Sequence, residues 1–593
     1  MHQISNVRIQ NYRSIIDGEF PLSPYTPLVG YNNAGKTNVL QAVSWFIKKR
    51  GLTSSDFHDP EQPLVVTATI SGITAEVLDA LGDNHRTKIE PIIVDGSLDL
   101  RRTQLKPDAK VSEIRLEIRK LNEAGELVWE VNPAGIDAAI SQLFPEPIFI
   151  GAMENATEDV GKFAAGTTIG KLIKEIIEPV TAAHAGPVSA ALADIATKLT
   201  ADSPEKDENL VRLDMQIQTE LAKIFPGVSA KIHIPTPEFS DFLKGATIKI
   251  FEDNFHNPDG RDAASFGHGA QRSVQIALIK CLSQIKKAGA VGAGRTTLLL
   301  IDEPELYLHP QAVELVRASL SSLSSDGYQV LFSSHSPNMI ARQDAHNALL
   351  IRRNAAAGTR AYPRIRDAVV GAIAEADHQS ETLFALTNSA KVLFSENVVL
   401  AEGKTEKAIL PDLFQHAVGA TMDEERLGLV ALGGSSNVRN AMRVLAAMGI
   451  PTKAIVDLDF AFKVAPGSGL IEGDHADLVA CKAILKRLSD AGQITIDAEG
   501  LPTNGNGVSA ARAFEMMCAE PDADAHVSAI HAHLLGSGIW CWTKGTIESH
   551  LGLPGKTSAI HMAFLRDLSD QAFREGLPDY DSAAQMMAWL RQH

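Results

Sequence analysis

Cysteine is scarce in this sequence. Cys281, Cys481, Cys518 and Cys541 are scattered with no metal-ligand spacing, which argues against a disulfide framework and points to reduced thiols in a cytoplasmic protein. Long apolar runs are missing too. None approaches the roughly 20 residues of a membrane span, and residues 1–13 alternate apolar positions without the apolar core of a secretory signal. Positive charge is in deficit: 55 Lys and Arg against 72 Asp and Glu leave a net charge of −17. That argues against a chain that coats nucleic acid nonspecifically, but not against a local basic groove. Part of the acidity has a use if the chain holds hard cations, which need carboxylates.

What is present is a soluble globular composition, 45% hydrophobic and 21% charged over 593 residues. The length is too great for one core and predicts two to four domains.

The clearest motif is Gly30-Tyr31-Asn32-Asn33-Ala34-Gly35-Lys36-Thr37, a Gly-x4-Gly-Lys-Thr phosphate loop. Pro27-Leu28-Val29 reads as the strand entering it. Val39, Val43, Phe46 and Ile47 share one face of the helix leaving it. Lys48, Lys49 and Arg50 are expected in that helix's last turn, with Gly51 as its cap. In such a loop the backbone N–H groups form an anion nest, the lysine reaches the β- and γ-phosphates and the threonine holds Mg²⁺. Gly30, Asn32, Gly35, Lys36 and Thr37 are therefore the nucleotide-binding candidates.

Around this unit, Ile4, Val7 and Ile9 begin an N-terminal strand, residues 18–24 read as a turn, and 64–78 and 112–131 read as strands. From Glu154 to Phe225 apolar residues recur at helical spacing, as in Ile169, Leu172, Ile173, Ile176 and Ile177, and 188–199 is an Ala-rich helix. This helical insertion reads equally as a dimerisation arm or a lid. Strands return at 228–234 and 246–251, and a Gly-rich loop over 257–269 precedes a helix over 271–287. The Leu-rich strand 296–301 runs into Asp302-Glu303, which has Walker B character. Asp302 would orient Mg²⁺ and Glu303 would polarise a water. A further strand, 328–332, leads to Ser333-Ser334-His335.

In this order the phosphate loop, Ser265-Phe266-Gly267-His268-Gly269, the two acids and His335 resemble the ABC-type ATPases of the SMC and RecF group. The resemblance implies that Ser265, Gly267 and Gly269 contact the γ-phosphate bound by a partner subunit. It also implies that His335 approaches the γ-phosphate, and that ATP is sandwiched in a homodimer or higher oligomer. Residues 305–310 resemble the loop after Walker B. Taken singly, Ser265 to Gly269 reads equally as a flexible loop, His335 reads first as a structural polar residue at a strand end, and Arg272 reads equally as a surface charge on its helix.

In the second half, a strand over 397–401 ends in Glu402-Gly403, with a helix over 407–414. Another strand, 453–459, ends in Asp457-Leu458-Asp459, and strand alternation is expected to put both aspartates on one side. Leu432-Gly433-Gly434-Ser435 between them reads as a strand-to-helix turn. Carboxylates at the ends of neighbouring parallel strands suit Mg²⁺ or Mn²⁺. The pattern resembles the Toprim domain of topoisomerases, primases and some nucleases. A topoisomerase needs a tyrosine nucleophile, and only Tyr580 follows, close to the C-terminus, which argues against strand passage.

An ABC-type ATPase followed by Toprim in one chain resembles the OLD (overcoming lysogenization defect) family, which includes the nuclease subunit of the Gabija phage-defence system. Ser55-Asp56-Phe57-His58 also looks like that group. The resemblance implies Glu402, Glu406, Asp457 and Asp459 as ligands of two Mg²⁺ or Mn²⁺ ions, with a further ion on ATP held by Thr37 and Asp302. Trp542-Thr543-Lys544-Gly545-Thr546-Ile547-Glu548 resembles a late segment that supplies another acid and a lysine. Glu548 would be a further ligand and Lys544 would neutralise charge at the cleaved phosphate. A plain helix start, with Thr546 capping and Glu548 in the first turn, reads the same residues equally well.

The expected architecture is α/β: an ABC-type (SMC/RecF-like) ATPase over 1–153 and 227–370, a helical insertion over 154–226, and a Toprim nuclease domain over 390–593. The implied activity is an ATP-regulated, divalent-metal-dependent DNA endonuclease or nickase in phage defence. Glu402, Asp457, Asp459, Lys544 and Glu303 would carry the chemistry. DNA contact would be salt-sensitive, a partner protein such as a helicase is compatible, and no membrane is involved. Lys280, Lys286 and Lys287 form a basic helix end that reads first as a solvated face. The alternative is a RecF-like repair ATPase whose Toprim-like domain recruits partners without cleaving.

Overall fold

The computed structural model describes residues 2–131, 135–144, 146–152, 197–200, 202–224, 230–232, 248–252, 259–287, 296–341, 344–372 and 392–592. Contacts divide the chain into two units. The first comprises Met1–Leu28, Asn33–Met339 and Arg353–Arg360; the second comprises Val29–Asn32, Ile340–Arg352 and Ala361–His593. The division passes through the phosphate loop, between Asn32 and Asn33. Residues 340–352 and 361–370, expected with the ATPase, group with the second unit.

In the first unit, β1 (Gln3–Tyr12), β2 (Ile15–Pro21), β4 (Leu64–Ser71), β5 (Ser97–Gln104), β6 (Arg115–Leu121) and β7 (Leu127–Val131) form an antiparallel sheet in the order β2-β1-β4-β5-β6-β7. The period-two pattern explains it. Leu64, Val66, Ala68 and Ile70 are buried while the residues between them are half-buried, so one face packs and the other meets solvent. Of the turn expected over 18–24, residues 22–24 do lie between strands, after β2 ends at Pro21, and a tighter bend lies earlier. Tyr12 pairs with Ile15, and Asn11 and Arg13 take positive φ of 59° and 48° to make the bend, leaving Gly18 inside β2 opposite Ile9. Residues 64–78 are not all strand: β4 stops at Ser71, and Val77 packs from a short helix, Ala75–Ala80.

Four strands of the six-stranded second sheet, β3 (Tyr25–Val29), β8 (Ile148–Ile150), β9 (Thr297–Ile301) and β10 (Tyr328–Ser334), lie in the order β3-β10-β9-β8, with β9 parallel to both neighbours. Every residue of β9 and β10 is buried, which is why neither shows a period-two alternation; β9 reads as a Leu-rich run, and β10 buries Gln329, Ser333 and Ser334 along with its apolar residues. Helix α1 (Lys36–Ile47) follows the phosphate loop and buries Val39, Leu40, Val43 and Phe46. It ends before the basic cluster. Lys48 is extended and its ammonium goes to Glu146, while Lys49 Nζ meets Asp137 at 2.9 Å. Ion pairing to distant acids therefore replaces the expected helix-end role, and Gly51 is not the cap. Helix α2 (His268–Lys287) starts earlier than expected and takes Gly269 into its first turn. Most of the insertion, including most of the Ala-rich helix, most of 228–234, and residues 246–247 of the strand expected over 246–251 lie outside the described residues. Within those limits there is a helix, Glu208–Ile224, and a short strand pair, Lys249–Ile250 with Arg261–Asp262.

The second unit is built on a parallel sheet of β11 (Asn397–Ala401), β12 (Leu427–Ala431), β13 (Thr452–Val456) and β14 (Ile539–Cys541), in the order β12-β11-β13-β14. Helix α3 (Lys404–Val418) follows β11 and α4 (Val438–Ala447) follows β12. Val399, Ile409, Leu413, Phe414, Trp542 and Met586 share one core cluster. The chain leaves β11 toward one side and returns to β13 on the other, so a crevice opens at the carboxyl ends of these two strands, where open α/β sheets place their ligands. No helix of the described residues is long and apolar enough to cross a membrane.

Candidate functional site

In the first unit, burial brings the expected nucleotide-site residues together. Thr37 Oγ1 donates to Asp302 at 3.0 Å to either carboxylate oxygen. Ser333 Oγ donates to the same carboxylate. Lys36 Nζ lies 2.8 Å from His335 Nε2, and that nitrogen is 3.3 Å from Glu303 Oε1. Burial lowers the Lys36 ammonium to about 8, against the pull of Glu303, Asp302 and Glu305. Burial and then Lys36 lower His335 as well; burial and then Asp302 raise Glu303. A hydroxyl and a carboxylate this close are the pair that holds Mg²⁺ on a bound nucleotide in P-loop ATPases.

Gly35 is required by geometry. Its φ is +99°, and a Cβ there would stand 2.3 Å from Thr359 Oγ1 and 2.7 Å from Ser14 Oγ. Thr359 Oγ1 in turn donates to Ala34 O at 2.8 Å. Ser14 and Thr359 brace the loop from positions that no motif marks. Glu305 is another residue the sequence reading left without a role: its Oε1 accepts from His335 N at 2.9 Å and Ser336 N at 3.2 Å. Asp56, in the family-like segment 55–58, pairs with Arg13 at 2.7 Å.

The signature segment is attached differently. Ser265 Oγ donates to Asp262 O at 2.7 Å, and Gly267 has open space beside it. Among the described residues Ser265 makes none of its hydrogen bonds to the phosphate loop. Gly269 allows close approach, since a Cβ would stand 2.9 Å from Tyr307 O. Arg272 is not a surface charge. It is buried, and its Nη2 donates to Asp302 O at 2.8 Å and Glu303 O at 3.0 Å, tying α2 to the Walker B turn.

In the second unit, Glu402 follows β11 and Asp457 follows β13, and the Asp457 N–H points at Glu402 Oε2 at 3.4 Å. Strand alternation does not place Asp459, because β13 ends at Val456; Asp459 opens a helical turn, α5 (Asp459–Lys463). Glu548 sits in α6 (Ile547–Leu551), whose N-cap is Thr546, so the plain helix-start reading of that segment holds. Thr405 Oγ1 donates to Glu548 Oε1 at 2.6 Å, and Ile547 N donates to Asp457 Oδ1 at 3.3 Å. Glu406 caps its own helix, accepting from Gly403 N at 3.1 Å.

Crowding of these acids shows in their titration. Burial and then Asp459 push Glu402 up to about 7. Burial raises Asp457, helped by Glu406 and Glu402, and burial raises Glu406, helped by Glu548.

Two cations among the described residues reach this group, Lys463, whose Nζ lies 3.0 Å from Asp459 Oδ2, and Lys556; the expected one, Lys544, does not. Lys544 Nζ donates to Pro578 O at 3.1 Å and lies 3.3 Å from Asp579. Lys556 Nζ instead lies 3.3 Å from Glu548 Oε1 and 3.9 Å from Asp457 Oδ2. Burial alone would lower the Lys556 ammonium, but Asp457 and Glu548 outweigh it and hold it above its ordinary value.

The donor set fits a hard divalent cation. It is all oxygen, its carboxylates repel one another, and Asp459 Oδ1 and Glu548 Oε2 are buried without a hydrogen-bond partner. Among the described residues no three such side chains form a closed ligand cluster.

Comparison with known proteins gives a consistent result. A family model described as the overcoming lysogenization defect protein-like TOPRIM domain matches residues 393–459, and an AAA ATPase domain model matches 3–105 and 153–340. The Old nuclease of Escherichia phage P2 is 34% identical over 599 residues, covering 99% of this chain and 100% of the relative. The OLD nuclease of Thermus scotoductus is 22% identical over 479 residues, covering 77% of this chain and 82% of the relative. Among solved structures, an Smc head bound to the C-winged helix domain of ScpA matches 60% of this chain and 96% of its own, at 14% identity and a TM-score of 0.36. An SMC head domain from Thermotoga maritima matches 61% of this chain and 98% of its own, at 11% identity and a TM-score of 0.26.

Proposed function

The chain belongs to the OLD nuclease family, and on that premise we propose that it is an ATP-regulated DNA endonuclease or nickase that cuts at the carboxyl edge of its Toprim sheet. It is a nuclease with an ATPase module, and use of a nucleotide and a divalent metal follows from the two domain types. The observation that carries the finer reading is the acidic group itself: the Asp457 N–H points at Glu402 Oε2 at 3.4 Å, Ile547 N donates to Asp457 Oδ1 beside Glu548, and Lys556 Nζ lies 3.3 Å from Glu548 Oε1 and 3.9 Å from Asp457 Oδ2, with Glu406 and Asp459 on the helical turns that follow the two strands.

Glu402, Glu406, Asp457 and Asp459, with Glu548, are the residues that would hold Mg²⁺ or Mn²⁺. A bound ion pair of that kind supplies an activated water and stabilises the leaving oxygen of a phosphodiester. Glu402, pushed up to about 7, sheds its proton to act as a ligand, so loading is linked to proton release. Thr405 and the Ile547 N–H orient Glu548 and Asp457 for the task. Lys556 is placed to offset negative charge gathering on the scissile phosphate. At the nucleotide site, Thr37 and Asp302 would hold the ion on ATP, Lys36 the phosphates, and Glu303 and His335 the attacking water. ATP sandwiched between two copies, DNA as substrate, a cytoplasmic place and a role in phage defence complete the proposal.

A second reading has one observation in its favour. The absence of a closed three-ligand cluster among the described residues suits a recruiting ATPase that does not cleave. Nicking of supercoiled plasmid with Mg²⁺ or Mn²⁺, with and without ATP, separates the two. Cleavage by wild type that is lost in Asp457→Ala supports the nuclease. Silence of wild type under every metal and nucleotide condition would move the assignment to the recruiting ATPase.

A further inference from the structure

Tyr31 lies inside the phosphate loop, yet its contacts group with the second unit. The Arg352 guanidinium stands 5.8 Å from the centroid of the Tyr31 ring and 5.8 Å from that of the Tyr362 ring. Arg352 Nη2 also donates to Ser395 O at 2.9 Å. Ser395 is two residues before β11, the strand that ends at Glu402. The Tyr362 ring, for its part, lies against Gly449: a Cβ there would stand 2.6 Å from Tyr362 Cε1, and Gly449 has a φ of +64°. Gly449 is in the turn before β13, the strand that ends at Asp457. One cluster thus holds the starting ends of both strands whose far ends carry the catalytic acids.

We propose that Arg352, set between Tyr31 and Tyr362, is a positioning residue that couples nucleotide at the phosphate loop to the spacing of Glu402 and Asp457. The proposal rests on the reading of the loop as an ATP site and of the sheet edge as a nuclease. Its physical basis is stiffness. Strands paired in register move as rods, so a displacement at Ser395 or Gly449 is delivered to the opposite edge. The loop has room to move: a cavity of about 530 Å³ is lined by Tyr31, Asn32, Phe394, Glu396, Asp423 and Arg426. Beside it, Arg426 Nη1 donates to Glu396 Oε1 at 2.5 Å and Arg426 O accepts from Asn397 N at 3.3 Å, so β11 is gripped at its first residue. Small shifts become switches where packed contacts have discrete arrangements.

The test compares wild type with Arg352→Gln, Tyr362→Ala and the ring-preserving Tyr362→Phe. Hydrogen–deuterium exchange is read over residues 395–402 and 449–457, with and without a non-hydrolysable ATP analogue. Plasmid nicking is read with and without ATP. Wild type is expected to change exchange in both segments on binding the analogue, and to change its cleavage rate about fivefold or more in one direction. Arg352→Gln and Tyr362→Ala should bind the analogue yet lose both responses, and Tyr362→Phe should keep them. Arg352→Lys serves if Arg352→Gln does not fold. Exchange that never responds in wild type, or responds unchanged in the variants, overturns the coupling. The exchange readout does not need cleavage. An enzyme that responds but never cuts sinks only the nuclease reading; one that cuts through Asp457 without responding sinks only the coupling.

Discussion

Lys556 spans the acidic site, with its Nζ 3.3 Å from Glu548 Oε1 and 3.9 Å from Asp457 Oδ2. Removing a cation placed where charge develops in a transition state costs about 10²–10³ in rate. Lys556→Ala should therefore lose nuclease activity on that scale while its ATPase rate stays near wild type. Lys544→Ala, whose ammonium is engaged with Pro578 and Asp579, should cut at nearly the wild-type rate. Plasmid nicking rates of the two variants decide it, and the reverse ranking would restore Lys544 to the chemistry.

Thr37 Oγ1 sits 3.0 Å from both oxygens of Asp302. Asp302→Asn should weaken ATP binding about tenfold or more in Mg²⁺, because a bound Mg²⁺ loses its charged partner. In EDTA the wild type and the variant should bind alike. Fluorescent-nucleotide titrations in the two buffers read this directly, and equal losses in both would mean a structural defect instead.

Glu406 accepts from Gly403 N and is a proposed metal ligand, and substitution separates the two roles. As the third helical residue, whose carboxylate accepts from the N-cap Gly403 N, it should tolerate Glu406→Gln, whereas Glu406→Ala should cost about 1 kcal/mol for the lost hydrogen bond. As a metal ligand, Glu406→Gln should raise the Mn²⁺ concentration needed for half-maximal cleavage. Urea unfolding and metal titration report the two roles, and an unchanged metal requirement in Glu406→Gln would leave only the cap.

His550 is fully buried, 2.8 Å from Asp579, and burial lowers its pKa to about 4 despite that aspartate. In the unfolded chain it takes up a proton near pH 6.5; in the folded chain it does not until about 4. The unfolded state therefore binds more protons in between, and stability falls as pH falls through that window, by about 3 kcal/mol in all. Above pH 7 the group contributes no slope. Urea midpoints between pH 7 and 5 should shift less in His550→Gln than in wild type; parallel curves would show that His550 is not the source.

The phosphate loop, the Walker B turn and the acids after β11 and β13 were legible in the sequence, for one reason. Each is a local event, a strand running into a turn and then a helix within about ten residues, and side-chain periodicity reports such events directly. The family resemblance rested on the order of these local events, and the curated relatives bear it out.

Other expectations failed where a distant partner decided the outcome. Lys48 and Lys49 left the helix end because Glu146 and Asp137 were within reach. Asp459 was placed by a new helical turn, not by continuation of β13.

The sequence alone thus determined which chemistry the chain carries: a phosphate loop, a Walker B pair and a set of carboxylates at strand ends. Only the tertiary structure decided that Lys556 and not Lys544 faces those carboxylates, that Thr359 and Ser14 close against Gly35, and that Arg272 is buried. Spacing along a chain specifies backbone and face. It does not specify which of two lysines, or which distant hydroxyl, folding brings to the same few ångströms; that depends on packing between segments hundreds of residues apart.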